Sequence, residues 1–244
     1  MLDWPILVLT LRGDEARRQP LVDALTRIDL PYELFLGVDG RAGLPEEFHN
    51  LIDRDGALAR RGKSMTDGEF ACALSHRAMY QYILERGLPG AIILEDDAIL
   101  EPGFAAFVRS GDYRLVPMVL MDFAFGRAIP FLRRKVCGGH LRKAAVQATV
   151  TTGYCVSEST ARKLLSATTP VSQPADWPCN LYDLEAWLMV PRLVRHEAPG
   201  QRMSHLDRQR DANAAAMVPR QALSFAEMLR RRFSVRVGRR KGQR

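Results

Sequence analysis

No stretch of this 244-residue chain approaches the roughly 20 consecutive apolar residues of a bilayer-crossing helix. Cysteine is scarce: Cys72, Cys137, Cys155 and Cys179 lie far apart. Their spacing matches neither a zinc site nor a dense disulfide framework, so reduced thiols in a cytosolic protein are expected. Before the first apolar run there is no basic region and no small-residue cleavage site, so Met1 to Arg12 reads as a first strand rather than a signal peptide. Neither a G-x-G-x-x-G nor a P-loop pattern occurs, which leaves a dinucleotide or Walker-type site unsupported. Most of the chain also has no charge excess. The net charge is +7, and residues 225–244 alone carry eight basic side chains and one acid. The remainder holds 27 of each sign. A neutral body argues against a nucleic-acid-binding core, and no nucleic-acid partner is expected.

What is present is a globular composition, 47% hydrophobic, sufficient for one large core. Its most informative run is Ala91-Ile92-Ile93-Leu94-Glu95-Asp96-Asp97. Pro89-Gly90 punctuates the start of a buried-strand pattern, and three carboxylates end it. Ligands gather at strand ends in open α/β sheets. Adjacent carboxylates against an apolar core repel one another and lose hydration. A divalent cation that favours oxygen, Mn²⁺ or Mg²⁺, relieves both costs. The plainer alternative is a solvated acidic turn.

Along the chain, Ile6 to Leu9 reads as a strand and Arg18 to Ile28 as a helix with Pro20 in its first turn. Tyr32 to Val38 reads as a second strand closed by Asp39-Gly40, and residues 41–66 as loop with short helical pieces. Thr66 and Glu69 form a T-x-x-E capping box that opens a helix ended by Gly87. Glu69 and His76 fall on one face of it, inside an apolar arc. Further expected elements are a short helix over 104–108, strands over 116–123 and within 147–156, and a helix capped by Ser157 or Ser159. A proline-bordered loop over 168–180, a short helix over 183–189 and a strand over 193–196 follow. Residues 126–147 are not assigned. The order predicts an α/β domain with a largely parallel sheet.

Thr66-Asp67-Gly68-Glu69-Phe70-Ala71-Cys72-Ala73-Leu74-Ser75-His76, joined to the downstream Ile93-Leu94-Glu95-Asp96-Asp97, resembles glycosyltransferase family 25, the bacterial lipopolysaccharide and lipooligosaccharide sugar transferases. Leu11-Arg12 with Arg17-Arg18, the Gly37-Val38-Asp39-Gly40 turn, Thr152 to Ser157, Pro174-Ala175-Asp176 and Pro199 to Ser204 are weaker matches. The resemblance covers most of 5–205. It implies a GT-A-like nucleotide-sugar-binding sheet flanked by helices, in one domain over 1–208, with 209–244 as a basic amphipathic tail outside it. It implies a hexose transfer, commonly from UDP-galactose and commonly inverting, to a lipopolysaccharide-type or other glycan or glycolipid acceptor. Glu95-Asp96-Asp97 takes the D-x-D role, with Asp97 first and Asp96 second as metal contacts and Glu95 and Asp96 toward the donor. Glu69, Ser75 and His76 shape the donor site, with Glu69 also a candidate catalytic group. Thr10, Arg12 and Asp39 line the nucleotide pocket. Asp176 is the first candidate for general base, with Asp183 and Glu185 as competitors. The tail interleaves Phe225, Met228, Leu229 and Phe233 with arginines, a pattern suited to an anionic membrane surface, so a cytoplasmic protein peripheral to the inner membrane is expected. The alternatives are a metal-dependent phosphoesterase or nuclease, and an inactive family member serving as a binding module.

Overall fold

The computed structural model describes residues 3–196 and 224–238. It is built on a nine-stranded mixed sheet in the order β11-β6-β7-β9-β5-β8-β3-β1-β2. The first unit is β1 (Ile6–Thr10), α1 (Glu15–Arg27), β2 (Glu33–Leu36), a 3-10 turn over Glu46–Leu51, α2 (Arg54–Arg61), α3 (Asp67–Glu85) and β3 (Gly90–Glu95). Next come β4 (Ile99–Leu100), α4 (Phe104–Ser110), β5 (Met118–Leu120), β6 (Arg127–Val136), β7 (Gly139–Ala144), β8 (Gly153–Ser157) and α5 (Glu158–Ala167). The last are β9 (Ala186–Val190), β10 (Val194–Arg195), α6 (Phe225–Phe233) and β11 (Val235–Arg236). A two-stranded ribbon pairs β10 with β4.

The central strands are apolar on both faces because both are covered. Ile6, Val8, Ile92 and Leu94 point into a core formed with Leu21 and Leu25 of α1 and Phe104 and Phe107 of α4. The alternate residues Leu7, Leu9, Ala91 and Ile93 point into the opposite core, with Met79 and Ile83 of α3 and Leu164 of α5. The period of two in a strand makes this division. A third cluster joins Phe70 and Leu74 of α3 to Ala57 of α2 and Val171.

The expected largely parallel sheet is mixed. The pairs β1–β2, β1–β3 and β5–β9 are parallel, whereas β3–β8, β5–β8, β7–β9, β6–β7 and β11–β6 are antiparallel. Unassigned residues 126–147 supply the β6–β7 hairpin. The expected helix over 183–189 is replaced by β9. Its Ala-Trp-Leu-Met-Val run fills the slot between β5 and β7, and tertiary pairing overrides helix-favouring composition. Helix α1 starts at Glu15, so Pro20 lies in its interior rather than its first turn. There it removes one backbone hydrogen bond, while Leu21 and Leu25 hold the helix by burial. The capping box on α3 is present, with Glu69 N donating to Thr66 Oγ1 and Thr66 N to Glu69 Oε2. Within the segment set apart as a tail, residues 224–238 lie against the sheet edge. Val235 and Arg236 pair with Ala128 and Arg127, and the Val237 amide donates to the Gly126 carbonyl. The boundary at 208 falls outside the described residues.

Candidate functional site

Because β1, β2 and β3 run parallel, their C-terminal ends open on one side, and the acidic triplet emerges there. The Glu95 amide donates to the Thr152 carbonyl at 2.9 Å, which carries sheet pairing up to the first carboxylate. The chain then turns, with Ala98 N donating back to Glu95 O.

The three carboxylates meet different partners. Glu95 Oε1 accepts from Thr151 Oγ1 at 2.6 Å and lies 3.1 Å from His76 Nε2. His76 Nδ1 lies 2.8 Å from the Tyr154 hydroxyl, which meets the Tyr80 hydroxyl at 3.1 Å. His76, Tyr154 and Tyr80 are buried, so this chain of polar groups anchors Glu95 to α3 and β8. Asp96 Oδ2 accepts from Thr10 Oγ1 at 3.0 Å, and its Oδ1 accepts from Arg17 Nε at 2.6 Å. The same guanidinium reaches Asp97 Oδ2 through Nη2 at 2.7 Å. Arg17 sits in the first turn of α1, directly after β1, so strand and helix together supply both Thr10 and Arg17.

Burial raises the affinity of Glu95 for a proton, but the bonds and charge of His76, the Thr151 hydroxyl and the Arg17 charge outweigh it. The net pKa is lowered. Asp96 is shifted upward, chiefly by burial, against the opposing pull of Arg17. Asp97 is pushed up to about 6 by burial and then by the Glu95 charge, again against Arg17. Arg17 is itself held protonated: burial works against its charge, and Asp97 and Asp96 more than compensate.

The acidic pair fits a divalent cation on one observation. Asp97 Oδ1 is buried and has no hydrogen-bond partner, an acceptor left over after Arg17 is counted. Among the described residues no group of three His, Cys, Asp or Glu side chains is arranged to hold a metal. The fit is therefore to a cation such as Mg²⁺, which takes one or two carboxylates and completes its shell with water and substrate phosphate oxygens.

The remaining expected residues divide into two groups. Thr10, His76, Glu95, Asp96 and Asp97 are brought together. Ser75 and Asp39 lie at the neighbouring strand exit. Ser75 Oγ accepts from Val38 N at 2.8 Å and donates to Ala71 O at 2.7 Å, fastening the end of β2 to α3. A Cβ on Gly37 would lie 2.7 Å from that oxygen, so the approach requires glycine. Arg41 bridges Asp39 and Asp14, and its Nη2 donates to the Arg12 carbonyl. The Arg12 side chain is exposed on that rim. Glu69 is engaged elsewhere: it closes the capping box and lies 3.5 Å from Arg61. Seven residues of helix separate it from His76, about 10 Å along the axis.

Asp176 shapes a loop. Its Oδ1 accepts from Val150 N at 2.8 Å. Val150 has φ +85°, a conformation that costs a β-branched residue on the order of 1–3 kcal/mol. The next residue, Thr151, is the donor to Glu95. Asp176 thus reaches the triplet through Val150 and Thr151. Asp183 and Glu185 are exposed.

Sequence reasoning did not single out Thr151, Arg192 or His196 as site residues, named Arg17 without a role, and held Asp122 only within the strand expected over 116–123. Asp122 is fully buried just beyond β5, with Oδ2 2.8 Å from His196 Nδ1 and Oδ1 3.5 Å from Arg192. His196 lies close enough to Asp97 to favour its ionised form. A lone Asp closing the apolar run 116–123 was the available pointer; His196 had none.

The fold and site define an α/β protein with a buried acidic cluster at the ends of parallel strands. The family model described as "Glycosyltransferase family 25 (LPS biosynthesis protein)" matches residues 4–178, well over half the sequence, and the chain belongs to that family. It is similar to the "Probable inactive glycosyltransferase 25 family member 3" of Bos taurus, 25% identical over 170 residues, covering 66% of this chain and 28% of that protein. It is also similar to the "Glycosyltransferase 25 family member" of Aedes aegypti, 25% identical over 194 residues, covering 75% of this chain and 32% of that protein. The chain thus spans about a third or less of the length of these curated relatives.

Proposed function

We propose that this chain is a GT-A-like, nucleotide-sugar-dependent hexosyltransferase. It would move a hexose, most simply galactose from UDP-galactose with inversion, to a lipopolysaccharide-type glycan. The observation that carries this reading is the Asp96–Asp97 pair at the strand ends, with one buried, unpartnered carboxylate oxygen on Asp97 and a guanidinium bridging one oxygen of each residue. Family membership supplies the reaction class.

In this reading Asp97 and Asp96 hold Mn²⁺ or Mg²⁺. Such a cation, when bound, is a Lewis acid that stabilises the departing nucleoside diphosphate. Arg17 is the chain's own cation for the diphosphate, because its fork suits phosphate oxygens as well as carboxylates. Thr10 orients Asp96, while His76 and Thr151 keep Glu95 ionised and fixed toward the donor. The rim formed by Arg12 and Asp39 lines the nucleotide side, and buried Ser75 holds the end of β2 beneath it. Asp176 is the first candidate to take the acceptor hydroxyl proton. Its bond to Val150 N makes positioning of the Thr151 loop a competing role. Cytoplasmic action on a membrane-anchored glycolipid accommodates both the acceptor class and the basic C-terminal segment.

Calorimetric titration with a panel of UDP-sugars, with and without Mn²⁺, tests the reading. Metal-dependent binding of one UDP-sugar is expected, and Asp97→Ala should abolish both that binding and transfer. If no UDP-sugar binds under either condition, the donor assignment fails. Full binding without turnover on any glycan acceptor would favour an inactive member serving as a binding module; the bovine relative is named as probably inactive.

A further inference from the structure

An amphipathic helix on a globular protein ordinarily buries its apolar stripe and shows solvent its charges. Helix α6 does the reverse. Glu227 and Arg230 face the body. Glu227 Oε1 accepts from Asn180 Nδ2 at 2.6 Å, Arg230 Nε donates to the Ala145 carbonyl at 3.2 Å, and the Arg230 guanidinium lies 4.3 Å from the centre of the Tyr182 ring. The end of the helix is tied as well, with Arg127 donating to the carbonyls of Arg231 and Ser234. On a 100° wheel the opposite arc carries Phe225, Met228, Leu229 and Phe233. These residues are 72%, 50%, 41% and 68% exposed. Beyond its pairing with β11, strand β6 adds Phe131, 91% exposed, and Leu132.

We propose that this outward face, α6 together with the Phe131–Leu132 arm of β6, docks on an anionic lipid bilayer. The charges select that occupant. Arg231, Arg232 and Arg236 accompany the helix and β11, and Arg133 and Lys135, on alternate strand positions with Phe131, follow it; all five are exposed. The one acid between Ser224 and Gly238 is Glu227, turned inward. A second copy of the chain would bring these cations face to face, and like-charge juxtaposition disfavours that. An anionic bilayer neutralises them, each basic residue near the surface tightening binding by about fivefold, while taking the aromatic side chains into its interfacial layer. The inference deepens the proposed function by naming the surface at which a glycolipid acceptor is met. It does not require transfer to occur.

The test is co-sedimentation of the full chain with vesicles of phosphatidylcholine alone or phosphatidylcholine containing phosphatidylglycerol. Binding to the anionic vesicles should be at least about tenfold tighter and should weaken as salt screens the charges. The paired substitution Phe225→Ser with Phe233→Ser keeps every charge and alters exposed side chains only. It should loosen binding by about tenfold or more, because two aromatic side chains no longer enter the interfacial layer. Arg231→Ala with Arg232→Ala should weaken binding to the anionic vesicles by about tenfold or more and leave binding to phosphatidylcholine alone unchanged. Equal binding to both vesicle types, or unchanged binding of the Phe225/Phe233 variant, overturns the proposal. So does a concentration-dependent dimer in ultracentrifugation, abolished by that variant, without vesicle binding. Calorimetric UDP-sugar binding by the same variants remains intact if only the docking face is wrong, and is absent from the parent chain if the transferase reading is wrong.

Discussion

Asp176 can be assigned by comparing two substitutions. Asn at this position keeps an oxygen to accept from the Val150 amide but cannot take a proton, whereas Ala loses both. If Asp176 is the general base, both variants should lose turnover by at least about a hundredfold. If it only holds the Val150–Thr151 loop, Asp176→Asn should turn over near normally while Asp176→Ala fails. Arg17 poses a second question, because it occupies two of the oxygens a divalent cation would seek. Arg17→Ala should therefore bind Mn²⁺ more tightly than the parent in the absence of nucleotide, read by calorimetry, and bind UDP more weakly. His76→Ala should leave Glu95 and the Tyr154 hydroxyl short of a buried partner, lowering stability by about 1–3 kcal/mol in chemical denaturation. At this scale much of the cluster was legible: Glu95, Asp96, Asp97, Thr10 and His76 lie together in space. Three adjacent acids ending an apolar run announce themselves. Arg17 and Thr151 do not, because an Arg in a first helical turn and a Thr in a loop are ordinary sequence, and only the fold brings them to a carboxylate.

Among the elements, α3 shows how local chemistry carries over. Thr66 and Glu69 close the capping box, Gly87 adopts φ +59° after the helix, and the expected boundaries hold to within a residue or two. Thr66→Ala should cost about 0.5–2 kcal/mol, measurable as a lowered denaturation midpoint with unchanged slope. The strand β9 shows where local chemistry loses. Asp183 to Met189 is rich in helix formers, yet Ala186–Val190 is drawn into the gap between β5 and β7, where the backbone groups of both neighbours need partners. Pairing across that gap is non-local and leaves no trace in a short window of sequence. The same holds for the β6–β7 hairpin, whose basic, exposed outer strand has none of the apolar alternation that identifies β1 or β3.

For the whole molecule, the neutral body and basic C-terminal segment read from the sequence describe charge correctly, but charge does not say where a segment sits. Residues 224–238 rejoin the sheet through Arg230, Ser234 and β11, so truncation before Ser224 would remove part of the fold along with the membrane-facing side chains. Such a truncated chain should melt at a lower temperature than either the Phe225/Phe233 or the Arg231/Arg232 variant, both of which should melt close to the parent. A common loss on truncation and point substitution would mean that the exposed face contributes to folding.

The pairing of β11 has a bearing on solubility. It spans two residues of β6, Arg127 and Ala128, so most of a ten-residue strand presents its outer backbone edge without a partner among the described strands. Such an edge is a template for another chain's strand. Three successive cations, Arg133, Arg134 and Lys135, line it, and a register irregularity between Ala128 and Arg133 bends it. Both features hinder edge-to-edge growth of sheets between molecules. The cations that suit an anionic surface thus also keep the free protein from polymerising through its own sheet, and neutralising them should show first as aggregation on storage.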